Sequence, residues 1–182
     1  MRATGQQYGP VPRESKWIPR RQLQRAGSPF NIARPPHSAV SAQYYCPMAH
    51  FQVVALAHIL NRKLLLVRGV GKDGFYLPGG KPEPGESDLD TLTREVKEEL
   101  DCGVERSTAR YLTTTVAQAF GKPAGVLVAV KTFTAGLVGR PRPSSEVEEL
   151  RYFGLDEYLA MPSRAPAAEA LLRRLAEDSL VD

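Results

Sequence analysis

Glu95, Glu98 and Glu99 stand at i, i+3 and i+4 in a stretch whose apolar residues, Leu89, Leu92, Val96 and Leu100, recur at three- and four-residue steps. That period predicts a helix with Ser87 or Asp88 as its N-cap and Gly103 beyond its end, and it sets the three carboxylates on one face beside the leucine stripe. Like charges held so close repel one another. A solvated face diluted by Arg94 and Lys97 is the bland account of such a helix. Two features argue for more. A Gly/Pro-rich loop, residues 81–87, directly precedes the helix and can fold backbone carbonyls toward the carboxylates. A hard divalent cation such as Mg²⁺ would then convert the repulsion into ligation through oxygen.

The spacing around that helix resembles a known signature. Gly80, five residues, Glu86, seven residues, then Arg94-Glu95-Val96-Lys97-Glu98-Glu99 is similar to the box of the Nudix hydrolases, of the MutT-like kind. The resemblance implies an α/β fold, an α/β/α sandwich with a mixed β-sheet and a catalytic loop-helix. It also implies that Glu95, Glu98 and Glu99 bind Mg²⁺ or Mn²⁺ with a carbonyl of Gly79 or Gly80, that Arg94 orients the glutamates, and that Glu86 supports this network. The box closes with a glycine and an aliphatic residue, whereas this chain has Asp101 and Cys102 there, and Gly103-Val104 come two residues late. An extra piece of helix end before the turn is the expectation.

The chemistry implied is divalent-metal-dependent hydrolysis of a nucleoside diphosphate linked to another group. Cations neutralise the oxyanions of a diphosphate and lower the pKa of a bound water, which then attacks phosphorus. One carboxylate must take the proton, and the candidates are Glu95 and Glu98 on the helix and Glu146 on a later loop, where Glu148 and Glu149 are close neighbours. Arg68, Lys72 and Lys122 flank two hairpins that would frame a cleft and are candidates for contacts to substrate phosphates. Tyr76 and Phe120 can stack on a base, although aromatic residues in strands more often pack in a core. His58 reads as a packed residue and Cys102 as a poorly placed nucleophile. The window 116–121 lacks the proline and tyrosine that mark relatives specialised for ADP-ribose and for diadenosine polyphosphates. What remains is a (deoxy)nucleoside triphosphate, including oxidised nucleotides, with nucleotide sugars and RNA 5′ ends as alternatives. A nucleotide-binding module without catalysis is the reading from a different class, and the complete set of carboxylates argues against it. Members of the family are often dimers, so a homodimer is a further expectation.

The elements that must position these residues follow from the pattern. Residues 51–60 and 63–68 form two apolar, β-branched-rich runs about Asn61-Arg62, which predicts a hairpin. A short strand over 75–77 precedes the loop and helix. Residues 110–120 and 126–137 predict a second hairpin, 148–153 a short strand, and 165–178 an amphipathic helix with Ala168, Leu171, Leu172 and Leu175 inward.

With 182 residues, 42% hydrophobic and 24% charged, the chain has material for one globular domain plus an appendage. Two cysteines and three histidines exclude a disulfide framework and a zinc cluster of the usual spacing, so a reducing, cytoplasmic setting is expected. No run of eighteen apolar residues exists, which argues against membrane-spanning helices. The charge is uneven. Residues 1–50 hold seven basic residues against Glu14 alone, net +6, while the remaining 132 are net −2. The positive balance therefore belongs to a basic, Pro-rich leader over 1–47, read as disordered or extended, and gives no nucleic-acid-binding face to the domain over 48–182. The leader is a phosphate-touching arm, a targeting peptide, or sequence upstream of a start at Met48, the last being preferred. Deleting residues 1–47 is then expected to leave folding and turnover intact; loss of either, followed by circular dichroism and assay, would make the leader part of the structure.

Overall fold

The computed structural model describes residues 49–182, so the leader expected over 1–47 lies outside the described residues. The run over 51–60 is divided. Strand β1 (Phe51–Leu56) lies parallel to β6 (Leu127–Val138) and antiparallel to the two-residue β4 (Gly79–Gly80). Only its tail, β2 (Ile59–Leu60), forms the expected hairpin with β3 (Lys63–Gly69). Asn61 and Arg62 both adopt positive φ, 49° and 61°, as a two-residue turn matched to strand twist requires. Between β1 and β2 the chain leaves one sheet for the other at Ala57-His58. Ala57 N–H donates to Phe133 and the His58 carbonyl accepts from Leu65.

Two sheets result. One has the order β4-β1-β6-β5 with mixed directions, β5 being Gly103–Gln118; the other has the order β2-β3-β7, with β7 at Val147–Phe153. Helix α1 (Asp88–Leu100) covers one side and α3 (Pro166–Glu177) the other, with a short α2 (Leu155–Leu159) before α3. Because β1 and β3 are covered on both faces, their residues read as continuous apolar runs rather than as an alternation. Val54, Leu56, Leu65 and Val67 pack with Leu92, Val96 and Leu100 of α1. Ala55, Leu64 and Leu66 pack with Ala168, Leu171, Leu172 and Leu175 of α3. This is an α/β/α sandwich with a mixed sheet. The segment 75–77, expected as a strand, contributes only isolated bridges, Tyr76 with Val67 and Phe75 with Arg164. Among the described residues no helix is long and apolar enough to cross a membrane.

Helix α1 starts as its sequence indicates, on a capping box in which the Ser87 side chain accepts from Asp90 N–H and the Asp90 carboxylate accepts from Ser87 N–H. Its end corrects the expectation. No extra turn is added. Leu100 is the last helical residue, and Asp101 itself takes the left-handed conformation, φ 48° and ψ 33°, that a glycine ordinarily supplies. Cys102 then turns inward, 3% exposed, and fills the aliphatic position, leaving Gly103 as the first residue of β5. Lys97 Nζ holds the Asp101 carboxylate at 2.6 Å across one turn. Asp101→Gly relieves the left-handed strain and is expected to stabilise the fold by roughly 0.5–1 kcal/mol, a rise of a few degrees in Tm. Asp101→Ala, which keeps the Cβ and loses the ion pair, should lower it, and thermal melts of the two variants check both signs.

Candidate active site

The approach of β4 to α1 creates the site. Gly79 has φ 141°, and a Cβ there would overlap the Val54 carbonyl; a Cβ on Gly80 would overlap the Glu95 carboxylate. Only glycine at position 79 lets this backbone pack so close against β1. As a result the Gly79 N–H donates to Glu99 Oε2 at 2.8 Å. The resemblance implies a carbonyl of Gly79 or Gly80 as a metal ligand; the hydrogen bond between this strand and Glu99 is made by the Gly79 amide.

Arg94 ties the rest together. Its Nε and Nη2 grip both oxygens of Glu86 at 2.8 and 2.9 Å, Nη1 donates to Glu95 Oε1 at 2.8 Å and more weakly to Glu98 at 3.4 Å, and Nη2 also donates to the Lys81 carbonyl at 3.0 Å. This bidentate fork is geometry that lysine cannot reproduce. Glu86 is further held by the Glu83 amide and by the hydroxyl of Thr91, a buried residue. Arg94 above all, with those donors, holds the Glu86 carboxyl down at about 2. Glu86 thus fastens the loop over 81–87 to the helix.

Glu86, Glu95 and Glu98 share one guanidinium, with Glu83 at 3.9 Å, and among the described residues Glu99 has no cationic partner. It is 7% exposed, and burial, reinforced by the charges of Glu95, Glu146 and Glu98, pushes its carboxyl up to about 8. Glu95 is also raised, first by burial. Glu98 is half-exposed at the rim.

The loop over 139–146 brings Glu146 to this group. Arg142 N–H donates to the Leu100 carbonyl at 2.8 Å and Ser144 N–H to the Glu99 carbonyl at 3.1 Å, satisfying acceptors that a helix end leaves open. Ser145 at φ 55° then turns the chain, and the Glu146 carbonyl accepts from Val70 N–H at 2.9 Å. Glu146 is exposed and close enough to Glu99 for their charges to interact. Its neighbours are committed elsewhere: Glu148 and Glu149 both bind Arg68, at 2.9 and 2.8 Å. Arg68 is therefore engaged by two carboxylates, and its Nη1 also reaches the Lys72 carbonyl at 3.4 Å.

The other candidate phosphate contacts, Lys72 and Lys122, line a cavity of about 280 Å³ on the α3 side of the sheet, whose walls include Phe51, Val53, Val128, Val130, Tyr76 and Phe120. Gly79 and Tyr76 border it, so the cavity adjoins the carboxylate site. Gln118 also lines it, but its amide is spent on the hairpin turn, donating to the Ala119, Lys122 and Pro123 carbonyls and accepting from Gly125 N–H. His58 is packed as expected, bonded to the Tyr152 hydroxyl at 3.0 Å, with burial pulling its imidazole down to about 4. Burial likewise pushes the Cys102 thiol up to about 11. Sequence reasoning passed over Thr91, whose only signal was its five-residue spacing from Glu86, and Gly69, which β3 disguised.

The donor set fits a hard divalent cation: several carboxylates, one of them buried with no cationic partner, face a single arginine. Among the described residues no group of three or more His, Cys, Asp or Glu side chains is arranged to hold a metal ion. Mg²⁺ as a rule takes only one or two carboxylates and fills the rest of its shell with waters and phosphates.

A family model, the NUDIX domain, matches residues 50–177. The fold recurs in solved structures. The MutT protein from Methanosarcina mazei Go1 gives a TM-score of 0.57 at 20% identity, covering 74% of this chain and 99% of that one. The E. coli ORF135 protein gives 0.56 at 24% identity, covering 72% and 91%. The MutT NUDIX hydrolase from Burkholderia pseudomallei gives 0.55 at 24% identity, covering 68% and 95%. No curated protein matches the chain in sequence at a significant level. The chain belongs to the Nudix family and is a Nudix pyrophosphohydrolase, of a family that generally needs a divalent metal.

Glu99 has a measurable consequence in the absence of metal. The unfolded chain releases this proton near the ordinary value of 4.5, the folded chain only near 8. Between these values the unfolded state binds fewer protons, so stability falls as pH rises across that window. Glu99→Gln keeps an acceptor for Gly79 and removes the proton. Denaturant melts in chelator at pH 5 and pH 8 should show a smaller loss for this variant than for the unaltered protein, and equal losses would contradict the assignment.

Proposed function

We propose that the protein hydrolyses a nucleoside or deoxynucleoside triphosphate, oxidised nucleotides included, with Mg²⁺ or Mn²⁺. The observation that carries this reading is the apolar, aromatic-walled cavity that meets the carboxylate face through Gly79 and Tyr76, with Lys72 and Lys122 among its lining. An aromatic base suits such walls, and the lysines suit the phosphate chain. Because the Gln118 amide is already satisfied by the hairpin, stacking rather than amide pairing is the main means of holding the base.

In this reading Glu95, Glu98 and Glu99 hold the divalent ion beside the backbone of Gly79 and Gly80. When bound, the ion supplies charge neutralisation and an acidified water. Arg94 keeps Glu95 and Glu98 turned toward one another's face, and Glu86 fixes Arg94. Glu146 takes the proton of the attacking water: it is the exposed carboxylate opposite Glu99 that neither Arg68 nor Arg94 engages. Lys72 and Lys122 steady the substrate phosphates.

The test is a panel of nucleoside triphosphates, oxidised dGTP, nucleotide sugars, ADP-ribose and triphosphorylated RNA with either metal, following released phosphate or pyrophosphate. Turnover of the triphosphates is expected, and Glu98→Gln should reduce kcat by at least about a hundredfold with little change in Tm. A Glu98→Gln protein hydrolysing at the normal rate would remove the metal assignment. A preference for nucleotide sugars or RNA would replace the substrate class, and binding without turnover would favour a non-catalytic module.

A further inference from the structure

The register of β3 against β7 shifts between Arg68 and Gly69, and the space at this irregularity is shared by three other groups. A Cβ on Gly69 would lie 2.7 Å from the Tyr76 hydroxyl, 3.4 Å from the Glu146 carbonyl oxygen and 3.5 Å from Cγ of Lys72. Tyr76 is fixed from behind by two backbone bonds with Val67, at 2.8 and 2.9 Å. Its ring forms part of the cavity wall and leans on Phe120, with centroids 6.4 Å apart. Its other end leaves the apolar region. The phenolic oxygen lies against the backbone of Gly69, within the field of Glu99 and Glu146. A phenol carries one O–H donor, which can serve an acceptor beyond the ring. Among the described residues no hydrogen bond from it to a carboxylate forms, and the Lys72 stem passes the same glycine on its way into the cavity. Tyr76 therefore spans the boundary between the two halves of the site.

We propose that Tyr76 contacts both parts of the substrate, its ring packing against the base in the cavity and its hydroxyl donating a hydrogen bond to the phosphate chain beside Lys72 and Glu146. This assignment rests on the functional reading above and adds a residue that discriminates a nucleotide from a bare polyphosphate. The hydroxyl serves the anion that both ligands share. The ring serves only the ligand that carries a base. Gly69 leaves the room that the hydroxyl occupies, and a side chain there would displace it.

The test separates the two contacts by titration calorimetry in Mg²⁺ with two probes, a non-hydrolysable nucleoside triphosphate analogue and inorganic triphosphate. Tyr76→Phe should weaken both probes about tenfold, as expected for one hydrogen bond to a charged group. Tyr76→Leu should weaken the analogue by about a further tenfold, the scale of one lost base stack, and bind inorganic triphosphate no worse than Tyr76→Phe does. Tyr76→Phe retains the ring and the backbone contacts, so it decides the hydroxyl even where Tyr76→Leu does not fold, and Tyr76→Met then decides the ring. Unchanged binding of both probes by Tyr76→Phe would overturn the hydroxyl contact; equal losses on both probes in Tyr76→Leu would overturn the ring contact and leave Tyr76 a structural residue. An unaltered protein that binds neither probe would overturn the functional reading itself and this one with it.

Discussion

Crowding of carboxylates on one helix is the constraint on which the rest of the molecule is arranged. Glu95, Glu98 and Glu99 project from α1, Glu86 leans in from the preceding loop, and the one guanidinium among them belongs to Arg94. A planar fork can satisfy several acceptors at once, which explains how three of the four are held without leaving the surface. The fourth, Glu99, is held instead by burial and a single backbone amide, in a protonation state that an incoming cation would reverse. The same helix must also anchor firmly. Leu92, Val96 and Leu100 do this from the adjoining face, packed against β1 and β3.

Both faces of the central strands are covered, and this couples the charged half of the site to the apolar half. Successive residues of β1 serve different layers: Val54 and Leu56 seat the acidic helix, while Val53 and Ala55 help to line the cavity on the far side. Gly79 and Tyr76 join the two sides, since the edge they occupy is where β4 ends and the sheet opens. The separation between the cavity and the acidic face of α1 is thus set largely by the strands of the sheet.

Backbone groups at the two ends of α1 show how much of the site is finished by chain distant in sequence. At the start a local capping box suffices. At the end Asp101 takes a glycine's conformation, and amides of Arg142 and Ser144 close on the last carbonyls. That closure also delivers Glu146 to Glu99 and leaves Glu148 and Glu149 to Arg68. A structural need of the helix and the placement of a candidate base are met by one loop.

Periodicity, capping and spacing are local properties, and whatever depended on them was legible in the chain: the acidic helix and its N-cap, the Asn61-Arg62 turn, the long strands either side of residues 121–125, the last helix, and the match of Glu86, Arg94 and the three glutamates to a known box. Other features depended on which strands became neighbours. The run over 51–60 carried one uniform apolar pattern, and only pairing with β6 and β4 divided it, because burial on both faces erases the alternation that would mark a boundary. The end of α1 was misread for a related reason: a left-handed residue is expected to be glycine unless its surroundings impose the conformation, and here Lys97, the inward turn of Cys102 and the returning loop surround Asp101. Arg68, Lys72 and Lys122 look alike in the sequence as cations beside hairpins; only the fold pairs Arg68 with Glu148 and Glu149 and sets Lys72 and Lys122 in the wall of one cavity. Residue types and short offsets determined the chemistry the chain can do; tertiary structure decided which groups meet, because charges, amides and aromatic faces select partners by distance in space.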